Sequence, residues 1–273
     1  MTPTGTLATA RVSALMCALF LIGCSSKNVV NPRLDAEMPK KILWAWERPE
    51  DLRFLDTNEY GVAFLAQTIF LESDRVLPKP RRQPLEIAPK TYLIAVTRIE
   101  TSKDGGKRPA FDDEMIAKTV SLIKNTLDLP DIRAIQVDFD AVVSERDFYR
   151  TMMFKLREKL AASGRNASVN ERADADEGVR VPLTMTALAS WCTGDAWFND
   201  FPVDEAVPMV FQMGADSEKI KTYLRNGNDW QEPLCRGSYG ISLEEGKFEG
   251  MKPERRIYYF KNSAWNAGDL DTP

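Results

Sequence analysis

Three polar side chains alternate along a segment that is otherwise apolar. The segment is Ala134-Ile-Gln-Val-Asp-Phe-Asp-Ala141, with Gln136, Asp138 and Asp140 at every second position. Because side chains on a strand point alternately to its two faces, these three would share one face. A buried carboxylate is costly unless it is paired or hydrogen-bonded, so two acids on that face predict a polar network or a shared proton. Repulsion from Asp138 would raise the pKa of Asp140 and keep it protonated near neutral pH, as a general acid requires.

Eight segments of strand length follow one another along the chain, and most are nearly continuous in apolar residues. They cover Ile42–Glu47, Tyr60–Leu71, Thr91–Ile99, Ile132–Ala141, Pro182–Trp191, Glu205–Met213, Ser238–Leu243 and Arg256–Phe260. Helical patterns lie between several of them: a helix capped by Asp112 that ends near Thr126, one that follows a capping-box pattern at Ser144–Asp147, and one over Ser217–Asn226 with Gly227 at its C′ position. Strands that alternate with helices predict a parallel α/β fold. Eight strands in a chain of this length favour an irregular (β/α)8 TIM-like barrel over residues 41–273, with the proline-rich residues 73–90 as an extended connection.

In such a barrel Asp140 would lie at the C-terminal end of the fourth strand, where active sites of this architecture are found. Aromatic and polar residues near the other strand ends could bind a sugar. The aromatic faces would stack on the ring, and the polar groups would form hydrogen bonds with its hydroxyls. The candidate binding residues are Gln136, Trp44, Trp46, Glu47, Trp191, Asp195, Trp197, Met209, Gln212 and Glu244, and Phe211, Glu245 and Trp265 lie at equivalent places. Large aromatics could instead fill the interior of an irregular barrel, and the three polar groups of the fourth strand could form a purely structural network.

The composition excludes several kinds of site. The chain contains no histidine, which excludes Ser-His-Asp triads, Cys-His pairs and histidine-ligated zinc. Lys103-Asp-Gly-Gly-Lys107 is typical of a turn and not of a phosphate-binding loop, and a formal net charge of −4 gives no basic surface for nucleic acid. We therefore expect no metal, no cofactor and no nucleic-acid partner. Acid–base chemistry would have to use carboxylates, Lys, Tyr or Cys.

The first 23 residues have the pattern of a secretory signal peptide. Arg11 precedes the apolar residues 12–22, a run shorter than the about 20 residues that cross a bilayer. The run ends at Leu21-Ile22-Gly23-Cys24, which resembles a lipobox, so we expect cleavage before Cys24 and lipid on its thiol. The alternative is a buried apolar helix with an incidental cysteine. The domains are then a signal peptide over 1–23, a lipidated tether over 24–40 and the barrel over 41–273. By the same resemblance, Ser25 implies the periplasmic face of the outer membrane.

Two cysteines remain for the folded domain. Of the four in the chain, Cys17 would leave with the signal peptide and Cys24 would carry lipid. In an oxidising compartment Cys192 and Cys235 favour one disulfide, which closes a loop of about 43 residues and contributes roughly 3–4 kcal/mol in the chain-entropy model. The alternative is two separate buried thiols.

The acids of the fourth strand resemble the D-x-D-x-E stretch of family 18 chitinase-like glycoside hydrolases. The resemblance implies that Asp140 is the acid and that Asp138 tunes it. The sequence departs from the family at both ends of the stretch: Asp140 is one methylene shorter than the family's Glu, and Gln136 replaces another Asp.

Longer segments spread over most of residues 41–245 resemble domain-of-unknown-function family 3142, a family of bacterial lipoproteins. The similar segments are ILWAWERPEDL from Ile42, IQVDFDA from Ile135 with SERDFY from Ser144, LTMTALASW from Leu183 and VDEAVPMVFQMG from Val203. This resemblance implies a chitinase-like barrel and implies no particular activity.

The leading hypothesis is an envelope lipoprotein whose barrel binds or hydrolyses a glycan, with a membrane and a polysaccharide as partners. As an enzyme it would be a glycoside hydrolase that uses Asp140 as the acid, with Glu47, Asp195, Glu205 or the substrate itself as nucleophile. The alternatives are a non-catalytic glycan-binding or envelope-assembly lipoprotein and a purely structural envelope protein. Both glycan functions require Asp138, Asp140 and several of the tryptophans to converge on one open pocket.

Overall fold

The structure is a computed structural model and describes residue 1 and residues 32–167, 180–195 and 197–271. The expected signal peptide, the lipobox-like residues 21–24 and the lipidation site Cys24 lie outside these ranges. Among the described residues, no helix is long and apolar enough to span a membrane.

Eight parallel strands close into a barrel, which confirms the predicted α/β fold class. The described strands are β1 (Lys41–Ala45), β2 (Glu50–Leu52), β3 (Tyr60–Glu72), β4 (Arg75–Pro80), β5 (Leu85–Ile87), β6 (Tyr92–Thr101), β7 (Ile132–Asp138), β8 (Leu183–Leu188), β9 (Glu205–Met209), β10 (Ser238–Ser242) and β11 (Arg256–Phe260). The barrel consists of β1, β3 and β6 to β11, each paired with the next, and β1 closes the ring by pairing with both β3 and β11. These eight strands correspond in order to the eight predicted segments, so β7 is the fourth barrel strand.

Helices fill most of the connections. They are α2 (Asp113–Asn125), α3 (Arg146–Ala167), α4 (Ala189–Cys192) and α5 (Ser217–Arg225), and a further helix, α1 (Pro32–Glu37), precedes β1. The predicted cap of α2 is confirmed, since the Asp112 carboxylate accepts a hydrogen bond of 2.8 Å from the backbone N–H of Met115. The capping box predicted at Ser144 is wrong. A short 3-10 helix over Val143–Glu145 precedes α3, and the Glu145 carboxylate accepts the N–H of Val142 at 2.9 Å.

The connection from β3 to β6 makes the barrel irregular, as the proline-rich sequence predicts. It contains β4, which turns back antiparallel to β3, and β5, which forms a small separate sheet with β2. Pro78, Pro80 and Pro84 lie in this region, and proline disrupts a helix interior. The β3–β4 hairpin therefore stands beside the barrel where a helix would otherwise pack.

The alternation along β7 is confirmed on both of its faces. Ile135, Val137 and Phe139 belong to the main hydrophobic core outside the barrel, together with residues of α2 and α3. Ala134 belongs to a second cluster inside the barrel, with Trp44 and other residues of facing strands. The polar set that begins at Gln136 therefore points into the barrel.

A buried ion pair and α1 close the N-terminal end of the barrel. Arg256, which is fully buried, donates to the Glu205 carboxylate at 2.6 Å and to the carbonyl of Pro39 at 2.9 Å. Tyr258 donates to the other Glu205 oxygen at 2.9 Å. Leu34, on α1, is buried in the interior cluster, which also contains Tyr258. The chain that precedes β1 is thereby fixed at the end of the barrel opposite to the C-terminal ends of the strands.

The predicted disulfide is present. Cys192, at the end of α4, is bonded to Cys235, which lies in the 3-10 helix Pro233–Gly237 before β10. Both cysteines are fully buried. The bond therefore joins the connections that follow β8 and precede β10.

Candidate functional site

The two acids of the fourth strand lie at the C-terminal mouth of the barrel. Asp138 is 8% exposed, and it accepts a hydrogen bond of 2.7 Å from the hydroxyl of Thr186 on β8. Its other oxygen is 3.9 Å from Nε of Arg98, its register partner on β6. Asp140 follows the end of β7 and is exposed at the rim. One acid is therefore held within the barrel, and the other is free to meet a ligand.

Burial and mutual repulsion act most clearly on Asp138. Burial, and then the charge of Asp140, raise the pKa of Asp138 to about 6, against the opposing effects of Thr186 and Arg98. Desolvation also raises the pKa of Asp140, and Arg98 and Lys103 oppose it. The sequence predicts that repulsion from Asp138 raises the pKa of Asp140. In the structure the repulsion between the two acids raises the pKa of the buried acid, Asp138. The two acids therefore form a coupled pair that retains a proton at mildly acidic pH.

A polar column lies below the acids and is fully enclosed. The indole N–H of Trp44 donates to the Gln136 side-chain oxygen at 2.8 Å, and the Gln136 amide donates to the Thr184 hydroxyl at 3.2 Å. Trp44 is 2% exposed and Gln136 is fully buried. The prediction that these two side chains bind substrate is therefore corrected: they satisfy each other inside the barrel and support the layer that holds Asp138.

Three adjoining clefts run across the C-terminal rim and together form what we call the rim groove. The acid cleft, of about 630 Å³, is lined by Arg98, Glu100, Lys103, Asp138, Asp140 and residues beside them. The tryptophan cleft, of about 420 Å³, is lined by Trp46, Glu47, Arg48 and Lys79 and shares Phe70, Arg98 and Glu100 with the acid cleft. The arginine cleft, of about 380 Å³, is lined by Arg108, Phe111, Val142, Ser144 and Glu145 and shares Ser102 and Lys103 with it. The shared residues place the acid cleft in the middle of the row.

Aromatic side chains are partly exposed at the mouth of the barrel and along the groove. Phe70, on the β3–β4 hairpin, is 40% exposed and lines both the acid cleft and the tryptophan cleft. Trp46 and Met209 lie partly exposed over the interior cluster, and so do Phe211 and Phe260, whose rings stack at 5.1 Å. Phe70 and Trp46 therefore present apolar faces beside the carboxylates and cations of the groove.

Most of the predicted tryptophans do not reach this groove. The strand β8 ends at Leu188, so Trp191 lies on α4 and is buried in the outer core. Trp197 packs on Trp191 at 5.0 Å, and Arg146 lies over the Trp197 ring. Asp195 pairs with Arg146 at 2.5 Å beside this cluster. The prediction of Trp191 as a binding residue is therefore corrected. Trp197 and Asp195 are partly exposed and are not among the residues that line the rim groove, whereas Trp46 is.

The remaining predicted residues are spread around the other strand ends. The strand β9 ends at Met209, so Gln212 lies in the turn beyond it, and its N–H donates to Glu245 at 2.8 Å. Glu244 accepts from the Ser242 hydroxyl at 2.5 Å. Trp265 is buried and donates to the Trp44 carbonyl at 2.9 Å. None of these described contacts brings Gln212, Glu244 or Trp265 to the acid pair.

The three carboxylates predicted as nucleophiles have different positions. Glu205 is buried in the ion pair with Arg256 at the opposite end of the barrel and is excluded from rim chemistry. Asp195 is engaged by Arg146, outside the groove. Glu47 lines the tryptophan cleft and pairs with Lys79 at 3.1 Å.

Three site residues were missed from the sequence. Arg98 and Glu100 alternate at the end of β6 as Asp138 and Asp140 do at the end of β7. The two strands are in register, with Arg98 beside Asp138. Nε of Arg98 is 3.0 Å from the Glu100 carboxylate. The same period of two could have identified both. Phe70 gave no such signal, because its exposure depends on the hairpin.

No family model matches the chain, and no curated protein sequence matches it either. Among the described residues, no group of three or more Cys, Asp or Glu side chains is arranged to hold a metal ion. The geometry of the rim groove is therefore the basis for inferring a function.

Proposed function

We propose that this protein is a lipid-anchored envelope protein that binds a glycan chain along the rim groove and hydrolyses it with the Asp138–Asp140 pair. The observation that carries the proposal is the pair itself, one buried acid with a pKa of about 6 beneath an exposed acid, in the middle of a row of open clefts. A polymer can extend from the acid cleft into the clefts on either side. Phe70 and Trp46 offer apolar faces for its rings.

In the proposed reaction Asp140 donates a proton to the glycosidic oxygen, because it is the member of the pair that a ligand can touch. Asp138 supports it from below, and the coupled pair keeps a proton available near pH 6. Glu100 is the third carboxylate that lines the same cleft and could activate water once a substrate displaces Arg98. This assignment agrees with the resemblance to chitinase-like hydrolases at Asp138 and Asp140.

One observation favours a second function, glycan binding without hydrolysis. Glu100 is already paired with Arg98, and Glu47 with Lys79, so neither of these two carboxylates is free as a nucleophile. Asp140 is also one methylene shorter than the Glu of chitinase-like hydrolases, which likewise favours binding without hydrolysis. A groove with these properties would still bind a glycan.

A screen of envelope and extracellular polysaccharides for release of reducing ends separates the two functions. Wild-type protein is compared with Asp140→Asn and with Asp128→Asn, which removes an exposed carboxylate outside the groove. Release that is lost only in Asp140→Asn supports hydrolysis, and binding by all three proteins without release supports the binding function. If no polysaccharide binds to wild-type protein, both functions are wrong.

The envelope location is proposed on two grounds. Residues 21–24 resemble a lipobox, and the Cys192–Cys235 disulfide is typical of proteins in oxidising compartments. The helix α1 packs at the N-terminal end of the barrel, so attachment through the chain before it leaves the groove accessible at the other end. We expect Cys24→Ser to abolish incorporation of labelled palmitate and globomycin to cause accumulation of precursor. Normal processing under globomycin would contradict the lipoprotein assignment.

A further inference from the structure

The rim groove is not uniform in charge along its length. In the tryptophan cleft Lys79 is paired with Glu47 at 3.1 Å and Arg48 with Glu50 at 3.8 Å, and in the acid cleft Arg98 is paired with Glu100 at 3.0 Å. In the arginine cleft the side chain of Arg108 is exposed, and among the described residues no carboxylate forms an ion pair with it. The positive charge of the groove is therefore least neutralised at this end.

The one carboxylate that lines the arginine cleft is enclosed. Glu145 is 5% exposed, and its oxygens already accept from the Thr101 hydroxyl at 2.6 Å and from the Val142 N–H at 2.9 Å. Lys103 is 3.7 Å from Glu145, and its side chain is 74% exposed. The cleft thus presents two exposed cations against one enclosed carboxylate.

The walls of this cleft suit a ring that carries an acidic group. Pro109, Phe111 and Val142 provide apolar surface, and the Phe111 ring is held against Phe148 at 4.9 Å. Ser102 and Ser144 add hydroxyls beside the two cations. A sugar ring could lie on the apolar wall with its charged substituent at the cationic end.

We propose that the arginine cleft is a subsite for an anionic substituent, a carboxylate or a sulfate ester, on the glycan that the rim groove binds. Lys103 and Arg108 are the recognising cations. This inference rests on the proposed function and narrows its substrate class to acidic glycans. The acid cleft beside it receives the adjoining sugar, which places the scissile bond next to a charged residue of the polymer.

Binding of matched charged and neutral oligosaccharides tests this inference. The probes are oligogalacturonate against its methyl ester, and sulfated galactan oligomers against their desulfated form, measured by calorimetry at low and high salt. The variant is Arg108→Gln, and the control is Lys219→Gln, which removes an exposed cation on α5.

We expect wild-type protein to prefer a charged probe to its neutral counterpart, with a preference that falls as salt screens the cations. Arg108→Gln should weaken binding of the charged probe about two- to fivefold and leave the neutral probe unchanged. Lys219→Gln should change neither. The better of the two charged probes identifies carboxylate or sulfate.

Two outcomes overturn the inference and are distinguishable. Equal binding of charged and neutral probes, or no effect of Arg108→Gln, refutes the anionic subsite and leaves the glycan-binding proposal standing. Failure of wild-type protein to bind any of the four probes or any polysaccharide in the wider screen refutes the proposed function and the subsite with it.

Discussion

Asp138 should destabilise the folded protein at neutral pH, and Asp138→Asn should reveal this. Folding raises the pKa of this acid from 3.8 to about 6. The folded state therefore holds the proton more tightly than the unfolded state, so stability falls as pH rises from about 4 to above 6. Once the acid is fully ionised, the pKa difference amounts to about 3 kcal/mol.

Asparagine keeps the shape of the side chain and has no proton to lose. The Thr186 hydroxyl can donate to its side-chain oxygen as it does to Asp138. We expect Asp138→Asn to match wild type near pH 4 and to exceed its unfolding free energy by up to about 3 kcal/mol at pH 8. A group that costs stability in this way is typical of a functional site.

Urea denaturation of both proteins from pH 4 to pH 8 measures the difference, with Asp128→Asn as the matched control. That control removes an exposed carboxylate and should stay within about 0.5 kcal/mol of wild type at every pH. A lower stability of Asp138→Asn at pH 8, or a difference that is the same at pH 4 and pH 8, would refute the assignment of a raised pKa to this acid.

Three further changes test other parts of the structure. Glu205→Gln leaves the buried Arg256 without its carboxylate, so we expect a loss of about 3–5 kcal/mol in the free energy of unfolding. Joint replacement of Cys192 and Cys235 by serine should lower stability by roughly 3–4 kcal/mol, measured against oxidised wild type. Phe70→Ala should weaken oligosaccharide binding by about three- to tenfold in calorimetry, with little effect on Tm, because the side chain is exposed.

Each of these changes has its own control and contrary result. A loss below about 1 kcal/mol for Glu205→Gln would contradict a buried, uncompensated charge. Reduced wild-type protein should match the double serine variant, and a mismatch would show that the serines disturb the core. Phe154→Ala removes an equally exposed phenylalanine from the outer face of α3, outside the groove. Equal loss of affinity in both variants would contradict a role for Phe70 in the groove.

The sequence predicted the barrel because the signal for it is local. Eight apolar runs and the alternation at Gln136, Asp138 and Asp140 depend only on the period of a strand, and the order of the strands follows from the chain. The cap at Asp112 and the disulfide were predicted for similar reasons. The cap requires only an Asp before a helical pattern, and the disulfide requires only two cysteines in an oxidising compartment.

The site was predicted less well because it depends on where strands end and on which side chains the fold encloses. Trp191 was placed on a strand, but the chain turns into α4 after Leu188 and carries it into the outer core. Trp44 lies on the correct face and is covered by the layers above it. The depth of burial also decides which acid of the pair has the pKa of about 6, and periodicity contains no information about depth.

A crystal structure of Asp140→Asn with the tightest-binding oligosaccharide from the screen tests the assignment of the rim groove most directly. We expect the chain to lie along the rim groove, with a ring against Phe70 and a glycosidic oxygen within hydrogen-bond distance of residue 140. A chain bound elsewhere, such as against Phe154 on α3 or in the small cavity beside Lys41 and Trp265, would contradict the assignment of the Asp138–Asp140 groove as the functional site.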